Sequence, residues 1–188
     1  MRDGVIRSER LDLRLLSWAG MEALLAGDLP TVGHEVGVSV PPEWVTEELK
    51  SLIRYRMGQV GTDPSAHRWL VRAMVLREPA PVLVGNAGFH GPPHATGMVE
   101  VGYEVLPQHR RRGYAEETVR ALFGWAAQQP GVIRLRASVG PRNVPSLALV
   151  RKLDMVQVGV HWDEDDGEEL VFERPADAVA QRSAVRES

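Results

Sequence analysis

The chain has 188 residues, and 25 Asp and Glu against 22 Lys and Arg leave a formal net charge of −3. A chain of this length suits one domain and buries roughly 70% of its unfolded surface, so neither disulfide nor metal is needed as a staple. With 44% hydrophobic residues, 25% charged residues and no cysteine, the composition excludes a wholly disordered chain, a disulfide scaffold, a thiolate metal site and a cysteine nucleophile.

The first ten residues carry too many charges for the apolar core of a signal peptide. No run approaches the roughly 18–20 apolar residues that span a bilayer. Together with the missing cysteines, this sets the expectation of a cytoplasmic protein away from membranes. Alternation over Arg10–Leu16 reads as an opening strand, and Trp18–Leu25 as a short helix ended by Gly27. Residues 28–42 are rich in Gly and Pro and read as a loop. From Glu43 to Met57, Val45, Leu49, Leu52, Ile53 and Arg56 recur at helical spacing after a Pro-Pro start.

His67–Leu76 and Val82–Phe89 read as a hairpin around Glu78-Pro-Ala-Pro81. In Met98–Leu106, Val99, Val101, Tyr103 and Val105 share one face, while Glu100, Gly102 and Glu104 share the other. The period then changes to 3.6, with Ala115, Val119, Leu122 and Trp125/Ala126 in one stripe. Val132–Val139 alternates again, Asn143 opens a helix through Leu153, and Met155–Trp162 and Glu168–Arg174 read as closing strands. Pro175–Ser188 has no periodicity and reads as a loose tail, so residues 1–174 are expected to form a single domain. The fold class is α/β in the mixed α+β sense, with mainly antiparallel strands.

Charge is uneven: residues 151–188 hold ten acids against five bases. A mildly acidic chain without a broad basic face argues against a nucleic-acid partner. The informative segment is Leu106–Ala115, between a strand and a helix. A helix start offers unpaired N–H groups at the positive end of its dipole, and Gly113 has no Cβ to restrict the turn. This makes a pyrophosphate cradle in principle, although neither GxxxxGK[ST] nor GxGxxG is present. A solvated, Arg-rich loop opening a helix is the competing reading of the same ten residues.

The stretch Val101–Ala115 resembles motif A of the GNAT acyltransferases, (Q/R)xxGx(G/A), with Arg110, Gly113 and Ala115 in the signature positions. Asn143-Val-Pro-Ser146 and Lys152-Leu-Asp-Met155 are similar to the family's NxxS…KxGF segment. Arg7–Arg14 is similar to the opening strand of the subfamily that includes the ribosomal-protein N-terminal acetyltransferases. Three departures stand out: Asp154 replaces the usual Gly, Met155 the usual Phe, and Val150 the Tyr that serves many members as general acid.

The resemblance implies a twisted central sheet, mostly antiparallel, flanked by about four helices. It implies acetyl-CoA as cosubstrate, with the pyrophosphate on backbone amides of Arg110, Arg111, Arg112, Gly113, Tyr114 and Ala115. The pantetheine arm would pair with Glu104, Val105 and Leu106 as an added strand. Asn143 and Ser146 would border the thiol end. The side chains of Arg111 and Arg112 either reach a CoA phosphate or stay solvated. The acceptor is an amine of a small molecule or a protein N-terminus, and no metal is called for. A homodimer also fits, since dimers are common in the family.

Direct acyl transfer needs a base for the amine and a proton for the leaving thiolate. Glu100 is the candidate base, against a reading as an ion-pair partner of a sheet-face Arg. Ser146 is the candidate acid, against a reading as part of a helix cap. His34 and Glu35 fall in the 28–42 segment expected to wall the acceptor pocket. Of the six histidines, His90 and His94 stand four apart, but Gly91-Pro-Pro93 between them belongs to a turn cluster and not to a helix that would set both rings on one face. Asp163–Glu169, with six acids in seven residues, reads as a solvated hairpin turn or as a collar for cationic acceptors. A non-catalytic acyl-CoA sensor is the competing function.

Overall fold

The computed structural model describes residues 4–164 and 167–177. The strands are β1 (Val5–Arg7), β2 (Leu11–Leu15), β3 (Arg72–Leu76), β4 (Val82–Phe89), β5 (Met98–Val105), β6 (Arg134–Val139), β7 (Val156–Asp163) and β8 (Gly167–Pro175). The α-helices are α1 (Trp18–Ala26), α2 (Leu29–Val36), α3 (Glu47–Thr62), α4 (Tyr114–Ala126) and α5 (Val144–Lys152). The strands form one eight-stranded sheet in the order β1-β2-β3-β4-β5-β6-β8-β7. All registered pairs are antiparallel except β5 with β6. The chain divides into two compact units: residues up to 92 with 103–121, and residues 93–102 with those from 122 onward. β5 and α4 each run from one unit into the other.

In the first unit, Ser17 caps α1 by accepting from the Gly20 amide, and Gly27 closes it at φ 75°. The segment 28–42, expected as a loop, instead holds α2. Asp28 caps that helix through the Thr31 amide, Pro30 fits its first turn, and Gly37 ends it at φ 71°. A Cβ on Gly33 would stand 3.0 Å from the Val38 carbonyl, so glycine lets the chain fold back there. The third helix begins at Glu47, four residues later than expected, because Pro42–Trp44 forms a 3₁₀ turn. That turn buries Trp44, whose Nε1 donates to Asn86 Oδ1 at 3.0 Å. β3 likewise starts at Arg72 after a 3₁₀ turn over Pro64–Trp69. Leu16, Met21, Leu24, Val36, Ile53 and Leu83 belong to the core of this unit.

In the second unit, Leu135, Ala137 and Val139 of β6 are buried, as their alternation predicts. Ile133 is 62% exposed and lies before the strand. The α4 stripe, with Val119 in the first unit and Leu122 and Ala126 in the second, is buried as expected. α5 is capped by Asn143, and its Leu149 and Val150 are buried with Leu153 and Met155. β8 reaches Pro175, opposite Arg134, and Ala176 is buried. Residues 178–188 of the expected tail lie outside the described residues.

Candidate active site

The first unit carries the strand–turn–helix expected to receive an anion. β4 bulges where Met74 opposes Gly85 and Val75 opposes Leu83. The Val84 carbonyl then accepts from the Leu106 amide at 2.9 Å. A Cβ on Gly85 would lie 2.0 Å from the Glu104 carbonyl oxygen, so only glycine allows this close approach. After Leu106 the chain makes one 3₁₀ turn, Pro107–His109, and enters the Arg-rich segment.

In that segment Arg111 has φ 61° and Gly113 has φ 82°, both in the left-handed region. The Gly113 carbonyl accepts the first helical hydrogen bond of α4, from the Glu117 amide at 3.1 Å. The amides just after Gly113 therefore have no acceptor one turn back within the helix, which leaves them for an anion. A Cβ on Gly113 would meet only Arg10 Nη2, at 3.4 Å. Glycine is needed here for its backbone conformation more than for space.

Arg110 behaves differently from a phosphate-facing arginine: its Nε donates to the Val105 carbonyl at 2.8 Å, tying the turn back to the strand. Of the positions expected to pair with the pantetheine arm, Val105 thus has a partner on its carbonyl and Leu106 on its amide, while Glu104 is exposed. The side chains of Arg111 and Arg112 are exposed and have no hydrogen bond or ion pair among the described residues. Tyr114 is buried, and Ala115 half-buried.

The cradle has a support that sequence reading missed. Arg10 lies over the Tyr114 ring at 4.8 Å, and its Nη1 donates to the Arg112 carbonyl at 3.2 Å. Its Nε donates to Glu117 Oε2 at 2.7 Å, while its own amide and the Ser8 hydroxyl each donate to Oε1 at 2.6 Å. Burial raises the Glu117 pKa, but these hydrogen bonds together outweigh it and hold the carboxyl below its ordinary 4.5. Beside the turn, burial and then the Arg112 charge push His109 below the ordinary histidine value, with Glu43 opposing.

The second unit holds Glu100, Asn143 and Ser146. The parallel ladder of β5 with β6 runs only from Met98↔Arg134 to Glu100↔Arg136. Glu100, half-buried at the end of that ladder, accepts from the Ser138 hydroxyl at 2.5 Å. Among the described residues no sheet-face arginine pairs with Glu100: Arg136, its partner across the ladder, is engaged by Glu173 at 2.6 Å. Ser138 was visible only as one polar residue alternating with Arg134 and Arg136. At α5 the Asn143 side chain accepts from the Ser146 amide at 3.2 Å, so Asn143 is the cap and Ser146 the residue capped. Val150 is buried and offers no proton. Asp154, in the usual glycine position, has φ 53°, so it adopts the conformation that glycine favours.

Other expectations change. His34 and Glu35 lie in α2, and Glu35 accepts from the Ser17 amide at 2.7 Å and the Ser17 hydroxyl at 2.6 Å. A Cβ on Gly20 would fall 2.3 Å from that carboxylate. Glu35 is therefore a clamp on the start of α1. An open groove beside α2 is lined by Leu29, Pro30, Gly33, Val38 and Val40. His161 and Trp162, whose place near the chain's end allows them either to face the acceptor side or to pack on the last hairpin, are exposed. Of the acidic segment, residues 165 and 166 lie outside the described residues. Among the described residues no group of three His, Asp or Glu could hold a metal, and no helix is long and apolar enough to cross a membrane.

Comparison with known proteins extends this geometry. The chain is 24% identical over 152 residues to the Bacillus subtilis (strain 168) protein called uncharacterized N-acetyltransferase YjdG, covering 81% of this chain and 89% of that one. Its fold is similar to that of the microcin self-immunity acetyltransferase MccE, solved with acetyl-CoA and AMP, at 13% identity and TM-score 0.63, covering 93% of this chain and 97% of that one. It is also similar to the alpha-N-protein acetyltransferase RimL, solved with coenzyme A, at 16% identity and TM-score 0.62, covering 93% and 99%. A family model described as an acetyltransferase (GNAT) domain matches residues 10–156, from the Arg10 clamp through the cradle to the start of β7. The chain is thus an acyltransferase and belongs to the GNAT acetyltransferase family.

Proposed function

We propose that this enzyme binds acetyl-CoA on the Arg110–Ala115 turn and transfers its acetyl group directly to an amine of a small molecule or a protein N-terminus. The observation that carries the reading is the pair of left-handed residues, Arg111 and Gly113, opening α4. Left-handed residues in such a turn are the kind of backbone arrangement whose successive amides form an anion-binding concavity, which supports the reading. Arg111 and Arg112 are exposed cations available to its charge.

The amine must lose a proton before or as it attacks the thioester carbonyl, and the departing thiolate must gain one. Glu100 is assigned the base, acting directly or through water, with the Ser138 hydroxyl fixing one carboxylate oxygen so that the other can face the acceptor. Ser146 is assigned the proton donor, its backbone held by Asn143.

Titration calorimetry with acetyl-CoA tests the first half, and release of free thiol across a panel of amines tests the second. Saturable binding with turnover on at least one amine is expected. No binding at millimolar acetyl-CoA would overturn the proposal. The cradle itself is tested by Gly113→Val, which forces a β-branched residue into the left-handed region at a folding cost of about 1–2 kcal/mol. Coenzyme A affinity should fall about tenfold or more, roughly 1.4 kcal/mol, in a variant whose circular dichroism still reports a folded chain. Wild-type affinity would place the phosphates elsewhere.

A further inference from the structure

β7 ends the sheet, and among the described residues β8 is the only strand that pairs with it. All seven residues from Val156 to Trp162 are exposed, so the described residues bury neither face of the strand. Val156 is 67% exposed, Val158 55%, Val160 58% and Trp162 71%. Edge strands are ordinarily blunted by charge, proline or short length, because free N–H and C=O groups invite another strand. The opposite edge follows that rule: β1 has three residues and ends in Arg7, paired to Asp12. β7 has eight residues, and Met155–Trp162 contains no Lys, Arg, Asp, Glu or Pro. Charge tells what an added strand must carry. No Lys or Arg occurs from Met155 to Glu173, while six acids fall in Asp163–Glu169. Asp163 is the last residue of β7, Glu164 and Glu168 are exposed, and Glu168 stands opposite Trp162. Ahead of the strand, the exposed residues Arg151, Lys152 and Asp154 come close to balance.

We propose that β7 docks an extended segment of a different protein as a further, antiparallel strand, with Lys or Arg at the N-terminal end of that segment and β-branched residues after it. Main-chain hydrogen bonds supply the affinity of such an addition, and alternate side chains supply its selectivity. The valines and Trp162 offer the cross-strand contacts that β-branched residues make best. Antiparallel pairing is the more stable arrangement per residue, and it sets the basic end of the segment beside Asp163, Glu164 and Glu168. A second copy of this chain is the poorer occupant. Residues 151–169 hold seven acids against two bases, so two such strands side by side gather like charge, whereas a basic segment offsets it.

Fluorescence polarisation on the full chain tests this with a labelled peptide that has Lys and Arg at its N-terminal end and alternating Val and Thr after them. Saturable binding at micromolar concentration is expected, weakening as salt is raised. The same peptide with Glu in place of its basic residues should not bind, and the reversed sequence should bind less tightly. Val160→Lys puts a charge in the middle of the edge and should abolish binding while far-ultraviolet circular dichroism stays unchanged. The double variant Glu164→Gln, Glu168→Gln leaves the strand itself intact and should weaken binding and flatten its salt dependence, whether or not Val160→Lys folds. No binding of the basic peptide overturns the proposal, as does equal binding of the Glu peptide or wild-type affinity in these variants. Light scattering that gives twice the 20.8 kDa chain mass, with the peptide unbound and Val160→Lys monomeric, overturns it in favour of a second copy. Binding that appears only when residues 178–188 are removed overturns it in favour of the chain's own end.

Discussion

Arg10 and Ser138 show how single residues set up groups that a motif already marks. Arg10 braces the cradle from the start of β2 through Glu117, Tyr114 and the Arg112 carbonyl. Ser138 reaches from β6 to hold Glu100. If Glu100 is the base, Glu100→Gln keeps its shape and its bond to Ser138 but cannot take a proton. Acetyl-CoA affinity should then stay near wild type while kcat falls on the order of 10²–10⁴-fold at pH 7. The deficit should shrink as pH rises toward the pKa of the amine, where solution supplies the free base. A pH–rate profile with kcat and KM resolved reads this out. A raised KM with kcat retained would make Glu100 a binding group for a cationic acceptor. Gly113 and Arg110 were legible in the sequence because a local turn needs those residue types at a fixed spacing. Arg10 was not, since its partner Glu117 lies 107 positions away and no local pattern records such a contact.

At the scale of elements, periodicity located every long strand and the stripe of α4, because burial on one face imposes a period of 2 or 3.6 on the residue order. It failed at α2, where Pro30, Gly33 and Gly37 read as punctuation although two of them sit at the helix start and its cap. It also placed the starts of α3 and β3 early, since 3₁₀ turns bury residues such as Trp44 and Trp69 without either period. The turn after α5 was legible as a departure from the family pattern, and the φ of 53° at Asp154 gives the reason glycine is usual there. Comparing Asp154→Ala with Asp154→Gly isolates the backbone, because both remove the same side-chain contacts. The alanine variant should be less stable than the glycine variant by about 1–2 kcal/mol in denaturant unfolding. Equal stabilities would mean that the turn relaxes out of the left-handed region.

For the whole molecule, acid should act through carboxyls that the fold holds ionised. Burial raises the Asp12 pKa, but bonds from Arg14, Arg7 and Arg77 outweigh it and leave it below its ordinary 3.8, as Ser8 and Arg10 do for Glu117. A depressed folded pKa means that the unfolded chain binds protons first. The stability these groups contribute is therefore present above their ordinary values and lost as pH falls through the folded ones. Unfolding free energy should decline below about pH 4.5, at up to about 1.4 kcal/mol per pH unit for each proton taken up. The double variant Asp12→Asn, Glu117→Gln should show a shallower acid slope. An unchanged slope would assign acid sensitivity to other carboxyls.

The bond between Arg10 and Glu117 has a consequence for the order in which this molecule is built and comes apart. Closing a loop of this length is slow and entropically costly, and contacts distant in sequence form after local ones. Helix α4 can wind from its own residues, but the turn ahead of it gains its brace only when the opening strand returns to it. On partial opening the sequence reverses: release of the first strand loosens the turn while the helix behind it is still wound. The turn is therefore a late acquisition and an early loss, and a pyrophosphate bound there as proposed would keep the front of the chain in place.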